Sequence, residues 1–169
     1  GRKNHEQYLE LLKEVKAYGT TTVSFDVGWD DAGEWYQGIY ELYPYIDILF
    51  MNETEAIHYS RKKEVVDAIK DFGKTCKLVV AKLGKKGSIA VKDGHIYEAA
   101  SYSVEAIDTT GAGDSFNAGF VYGFLKGKSI EEALKCGNAC GGLSVTALGG
   151  NTGFPKEDEL IKFMAKRER

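Results

Sequence analysis

The nine residues Asp108-Thr109-Thr110-Gly111-Ala112-Gly113-Asp114-Ser115-Phe116 set two glycines and an alanine between two carboxylates. A glycine-rich turn that opens a helix offers backbone N–H groups to an anion, and the helix dipole adds to the attraction. With a helix starting near Asp114, the amides of Ala112, Gly113 and Asp114 converge on one point, and Gly111 and Gly113 leave room for close approach. A carboxylate at that point cannot help to hold a phosphate. It can take the proton of a hydroxyl that attacks one. The pattern therefore suits phosphoryl transfer, with Asp114 as base and the turn as cradle, and it equally suits a plain helix cap after a tight loop.

Three more stretches carry groups that could assist. Asn52-Glu53-Thr54-Glu55 opens a second helix, where carboxylates complement the dipole. Lys82-Leu83-Gly84-Lys85-Lys86-Gly87 is a Gly-x-x-Gly turn whose lysines either attract phosphate or are simply solvated. In the stretch from Lys135 to Gly150, Gly141 and Gly142 each cost a helix about 1 kcal/mol relative to alanine, so close packing or a ligand must justify them.

These residues need elements to position them. Asn4–Ala17 has helical apolar spacing ending at Gly19, and the β-branched run Thr20–Val27 reads as a strand. Glu34–Tyr43 reads as a helix halted by Pro44, Ile46–Met51 as a buried strand, and the chain from Asn52 as a helix. Val65–Phe72 is predicted helical, Lys77–Lys82 a buried strand, and Asp93-Gly94 the tip of a hairpin. Helices over Asp114–Leu125 and Ile130–Leu148 follow, then a last helix with Pro155 near its first turn, an acidic start and a basic end. The alternation predicts an α/β fold: three layers, α/β/α, around a mostly parallel, Rossmann-like sheet. No repeat, low-complexity linker or domain boundary is visible, so residues 1–169 read as one domain.

Composition narrows the function classes. The chain has 169 residues, 43% of them hydrophobic, which suffices for a sizeable core. A formal charge of −3 with interspersed lysines offers no basic field for nucleic acid. Cys76, Cys136 and Cys140 are odd in number and lack metal-ligand spacing, which fits a reducing, cytoplasmic setting rather than a disulfide framework. No apolar run is long enough for a membrane span and no signal-peptide pattern is present.

Asp108–Val121, "DTTGAGDSFNAGFV", resembles the C-terminal signature of the ribokinase-like (PfkB) carbohydrate kinases. The resemblance implies that Asp114 is the catalytic base and that the amides of Gly111, Ala112 and Gly113 stabilise the transferring phosphoryl group of ATP. It implies nucleotide contacts at Asn52, at Lys82, Leu83, Gly84, Lys85, Lys86 and Gly87, at Gly113, and at Asn138 in the helix that closes the adenine side. Glu55 would act on Mg2+ through water. Asp108, Thr110, Ser144, Ala147 and Gly149 match the places where the family holds a monovalent cation, K+. The acceptor would be the hydroxymethyl group of a small-molecule sugar or sugar-like alcohol, with a nucleoside or vitamin-like alcohol, or a non-catalytic nucleotide-binding module, as alternatives.

The chain departs from the family at two places. Lys82 stands where the family frequently has Thr, and Asp26-Val27-Gly28-Trp29-Asp30 replaces a D-x-N-x-R pattern, removing its amide and arginine. Trp29, Trp35 and Tyr36, close to that place, either line a pocket or pack as a lid or core. The resemblance covers only the family's C-terminal half, so the chain is expected to be the nucleotide-binding and catalytic part of a larger kinase domain, inactive alone. The N-terminal half would bring the lid, most substrate recognition and the homodimer contact.

Overall fold

The computed structural model describes residues 2–167. Five strands form one sheet in sequence order: β1 (Ser24–Asp26), β2 (Ile48–Asn52), β3 (Leu78–Lys82), β4 (Ser88–Lys92) and β5 (His95–Ala99). β1 and β2 run parallel, with Phe25 opposite Leu49. β4 and β5 are neighbours joined by Asp93 and Gly94 alone, both at positive φ (51° and 77°), the backbone a two-residue hairpin demands. The helices are α1 (His5–Ala17), α2 (Glu53–Ser60), α3 (Val65–Phe72), α4 (Ala112–Leu125), α5 (Ile130–Ser144) and α6 (Glu157–Ala165). The chain divides into two compact units, Gly1–Ala81 with Ala90–Ile96, and Lys82–Ile89 with Tyr97–Arg169.

In the first unit, β2 is buried over Ile48–Met51, as its unbroken apolar run requires. Tyr43 and Phe72 meet edge to face at 5.5 Å and Tyr40 leans on both. Asp47, just before β2, accepts from Lys16 at the end of α1, from Lys77 at 2.9 Å and from the Val23 amide at 2.9 Å. Partial burial pushes the Asp47 carboxyl up, but the two lysines and the amide outweigh it and hold it down at about 2.

Two expectations change in this unit. The strand expected over Thr20–Val27 is confined to Ser24–Asp26, although ladder bonds continue at Val23 and Val27. The helix expected over Glu34–Tyr43 is instead two 3-10 turns, Gln37–Glu41 and Tyr43–Tyr45. Asp30 explains the loss: its carboxylate captures the amides of Ala32 and Trp35, and Trp35 takes φ 46°, which no helix allows. The Gln37 side chain then bridges the carbonyls of Trp35 and Tyr59. Trp35 packs on Trp29, His58 and Tyr59, the aromatic packing that was one of the two expectations for this stretch.

In the second unit, α4 and α5 press together along glycines. A Cβ on Gly119 would stand 2.6 Å from the Cys136 carbonyl, one on Gly123 2.9 Å from Ala133 Cα, and one on Gly137 2.8 Å from the Phe116 ring. Residues without side chains let the two backbones approach where larger ones would hold them apart. α5 ends at Ser144, four residues before the expected Leu148. Helix α6 begins at Glu157 after its cap residue Lys156, with Pro155 just ahead of the first turn, near it as expected. The basic end expected there is present: Lys162 lies in the last turn, Lys166 caps it and Arg167 follows, while Arg169 lies outside the described residues.

Candidate active site

The catalytic candidates sit where the loop after β5 enters α4. Gly111 is the N-cap residue at φ 75°, and a Cβ there would collide with the Gly150 carbonyl, so glycine is required twice over. Helix α4 starts at Ala112, two residues earlier than expected, which places Ala112, Gly113 and Asp114 in its first turn. The Ala112 amide is not offered outward; it closes a turn onto the Thr109 carbonyl at 3.2 Å. The Gly113 and Asp114 amides lie ahead of the first intrahelical bond, which runs from Ser115 to the Gly111 carbonyl at 2.9 Å. Asp114 itself is exposed, and among the described residues no hydrogen bond engages its carboxylate.

The loop is held by Asp108. Its Oδ1 accepts the Thr110 amide at 2.9 Å and its Oδ2 the Gly149 amide at 3.0 Å. The Thr110 amide first, then the Thr110 hydroxyl and the Gly149 amide, keep the carboxyl below the ordinary range. The structure thus joins three of the five cation-site candidates, Asp108, Thr110 and Gly149. Ser144 is buried and its hydroxyl donates to the Gly141 carbonyl at 2.9 Å, while Ala147 is half-buried. The Val145 carbonyl, which sequence reasoning passed over, accepts from both Ile107 and Asp108.

The Gly-x-x-Gly segment forms a compact 3-10 turn over Gly84–Lys86, closed by Leu83 N–H donating to the Gly87 carbonyl at 2.8 Å. Gly87 sits at φ 100° with its α-carbon against the Ala99 carbonyl. Lys85 and Lys86 are exposed. Lys82, the last residue of β3, turns to α4: its Nζ lies 3.3 Å from Asn117 Oδ1 and 3.4 Å from where a Cβ on Gly113 would stand. Asn117 carries no signal in the sequence that marks it as Lys82's partner. Asn138 is buried at 7% exposure, and both of its amide hydrogens serve the carbonyls of Ala99 and Ala100. In this geometry Asn138 fixes the end of β5.

Asn52 and Glu55 belong to the first unit. They form a reciprocal cap on α2, with Asn52 Oδ1 accepting from the Glu55 amide at 2.9 Å and Glu55 Oε2 accepting from the Asn52 amide at 2.7 Å. Glu55 is 5% exposed. Among the described residues no group of three or more His, Cys, Asp or Glu side chains is placed to hold a metal ion.

A sequence model of the pfkB family carbohydrate kinases matches residues 3–157. The chain belongs to the pfkB carbohydrate kinase family. Among curated pfkB relatives, ribokinase of Haemophilus influenzae is 37% identical over 130 residues, 73% of this chain and 42% of that protein. A nucleoside kinase of Methanocaldococcus jannaschii is 32% identical over 153 residues, 89% of this chain and 50% of that one. The structure of a putative ribokinase II from E. coli, in complex with ATP and Mg2+, superimposes with a TM-score of 0.82 at 29% identity, covering 92% of this chain and 52% of that one. The chain thus spans about half the length of the curated relatives it matches. Its fold is the ribokinase-like one, three layers of α/β/α around a mostly parallel sheet.

Proposed function

We propose that the chain supplies the catalytic turn of a kinase that moves the γ-phosphoryl group of ATP onto a hydroxymethyl group of a sugar or sugar-like alcohol. The observation that carries this reading is the first turn of α4, where the Gly113 and Asp114 amides precede the helical ladder and the Asp114 carboxylate stands exposed beside them. As the acceptor oxygen bonds to the γ-phosphorus, Asp114 takes the hydroxyl proton. The bond to the β,γ-bridging oxygen breaks and ADP leaves with the electron pair. The amides face the charge that collects on the transferred group, and Gly111 and Ala112 shape the turn that aims them.

Glu55 is assigned to Mg2+ as a water-mediated carboxylate: the reciprocal cap with Asn52 fixes its position at the start of α2, and magnesium keeps waters and phosphates as its main ligands. When bound, the ion neutralises phosphate charge. Asp108, Thr110, Ser144, Ala147 and Gly149 are the proposed surroundings of K+. We read the chain as the C-terminal, nucleotide-binding part of a larger kinase domain, cytoplasmic and homodimeric; among the described residues no helix is long and apolar enough to cross a membrane.

Asp114→Asn in the complete protein tests the reading. Turnover is expected to fall by about 10^2 to 10^4 while ATP affinity stays within about twofold. Wild-type turnover in that variant would remove Asp114 as the base. A nucleoside acceptor is the second reading, supported by the nucleoside kinase relative. A panel of free sugars and nucleosides assayed side by side separates the two.

A further inference from the structure

Lys82 brings its charge to the start of a helix. The N-terminus of α4 carries the positive end of the helix dipole, and a lysine ammonium 3.4 Å from where a Cβ on Gly113 would stand adds like charge to it. Asn117 lies one turn further along α4, on the same face as Gly113, and its Oδ1 accepts from the Lys82 ammonium at 3.3 Å. The lysine is therefore directed to the helix end by a partner on that helix. An anion between ammonium and amides turns the repulsion into a clamp.

We propose that Lys82 contacts the γ-phosphoryl group during transfer, and that Asn117 is the positioning residue that holds its ammonium over the first turn of α4; this rests on the kinase reading above. The choice of the γ group follows from the order of residues. Asp114, the base, must stand beside the hydroxyl that attacks, so the phosphate adjoining it is the one under attack. Lys82 adjoins Gly113, the residue immediately before the base. Its ammonium meets the charge spread over the equatorial oxygens of the transferring group, a role that a threonine at the end of β3 cannot fill with charge.

The test compares nucleotides that differ only by the γ group. Binding of Mg2+-ADP and of the Mg2+ complex of the β,γ-imido ATP analogue is measured by calorimetry on the complete protein, for the wild type, Lys82→Met and Asn117→Ala. Lys82→Met is expected to weaken the triphosphate analogue by about 10- to 100-fold with ADP affinity unchanged, and to lower turnover in proportion. Asn117→Ala should shift the same way by a smaller factor, whereas a merely structural asparagine would weaken both nucleotides alike. Lys82→Thr provides the same readout should the methionine variant fold poorly. Equal loss of both nucleotides, or loss of neither, overturns the Lys82 assignment while leaving the kinase reading intact. Wild-type protein that binds neither nucleotide overturns both.

Discussion

The Asp108 carboxylate reaches across the sequence to the Gly149 amide at 3.0 Å while its other oxygen holds Thr110 at 2.9 Å, so one side chain closes the loop that enters α4. Each oxygen keeps a lone pair that the amides do not use. With a potassium ion there, wild-type protein melts at a higher temperature in potassium chloride than in tetramethylammonium chloride of equal strength. Asp108→Ala should melt lower in both salts and respond to neither differently. Scanning fluorimetry reads both; an identical potassium response in the variant would place the ion elsewhere.

Gly111 and Gly113 should separate stability from catalysis. Gly111→Ala forces a left-handed alanine against the Gly150 carbonyl, at about 2 kcal/mol or more. Gly113→Ala has ordinary room, with its methyl 3.4 Å from Lys82 Nζ, and alanine suits a helix better than glycine. Its melting temperature should hold or rise slightly while turnover drops by about tenfold or more, because the methyl group fills the anion's place. Melting and steady-state rates on the same preparations decide, and full activity in Gly113→Ala would contradict an anion bound at that turn.

The cap on α2 gives Asn52 and Glu55 different signatures. Asn52→Ala removes the acceptor for the Glu55 amide and should cost about 1 kcal/mol by denaturant titration. Glu55→Gln keeps an oxygen that can accept from the Asn52 amide, so the cap itself should survive. Its half-saturating Mg2+ concentration should rise by about tenfold if the carboxylate acts on the ion. A magnesium titration of turnover that matches wild type would remove Glu55 from the magnesium site.

Asp47 predicts acid sensitivity. Its folded-state value of about 2 lies below the ordinary 3.8, so its contribution is complete above about pH 4 and fades as the pH drops towards 2. Asp47→Asn should melt lower than wild type at pH 7, and the gap should close across that window. A gap of constant size from pH 7 down to pH 2 would show that the Lys16 and Lys77 contacts do not act through charge.

Much of the fold can be read from local pattern because local physics decides it. The apolar run before Asn52 becomes β2, Asp93-Gly94 becomes the hairpin tip, and the small-residue stretches become α4 and α5. What escapes is set by partners distant in sequence or by side chains that compete with the backbone. Asp30 takes the amides of Ala32 and Trp35, and a helical spacing dissolves into 3-10 turns. The catalytic turn is legible as a motif, yet its furnishing is not. That Ala112 spends its amide on Thr109, that Asn138 spends both hydrogens on Ala99 and Ala100, and that Lys82 pairs with Asn117 are facts of geometry with no local code.

The glycine seam between α4 and α5 reaches the catalytic turn at its last contact, where a Cβ on Gly141 would come within 3.2 Å of the Ala112 carbonyl. The floor beneath the base is thus cut by a helix that holds none of the proposed catalytic groups. A methyl added at Gly141 acts like a shim: the Ala112 carbonyl must give by about a few tenths of an ångström, and the turn that carries Asp114 shifts with it. Selection on the chemistry is therefore felt as selection for emptiness on α5, and a search for activity-altering substitutions confined to ligand-facing residues would overlook the surface that sets the alignment.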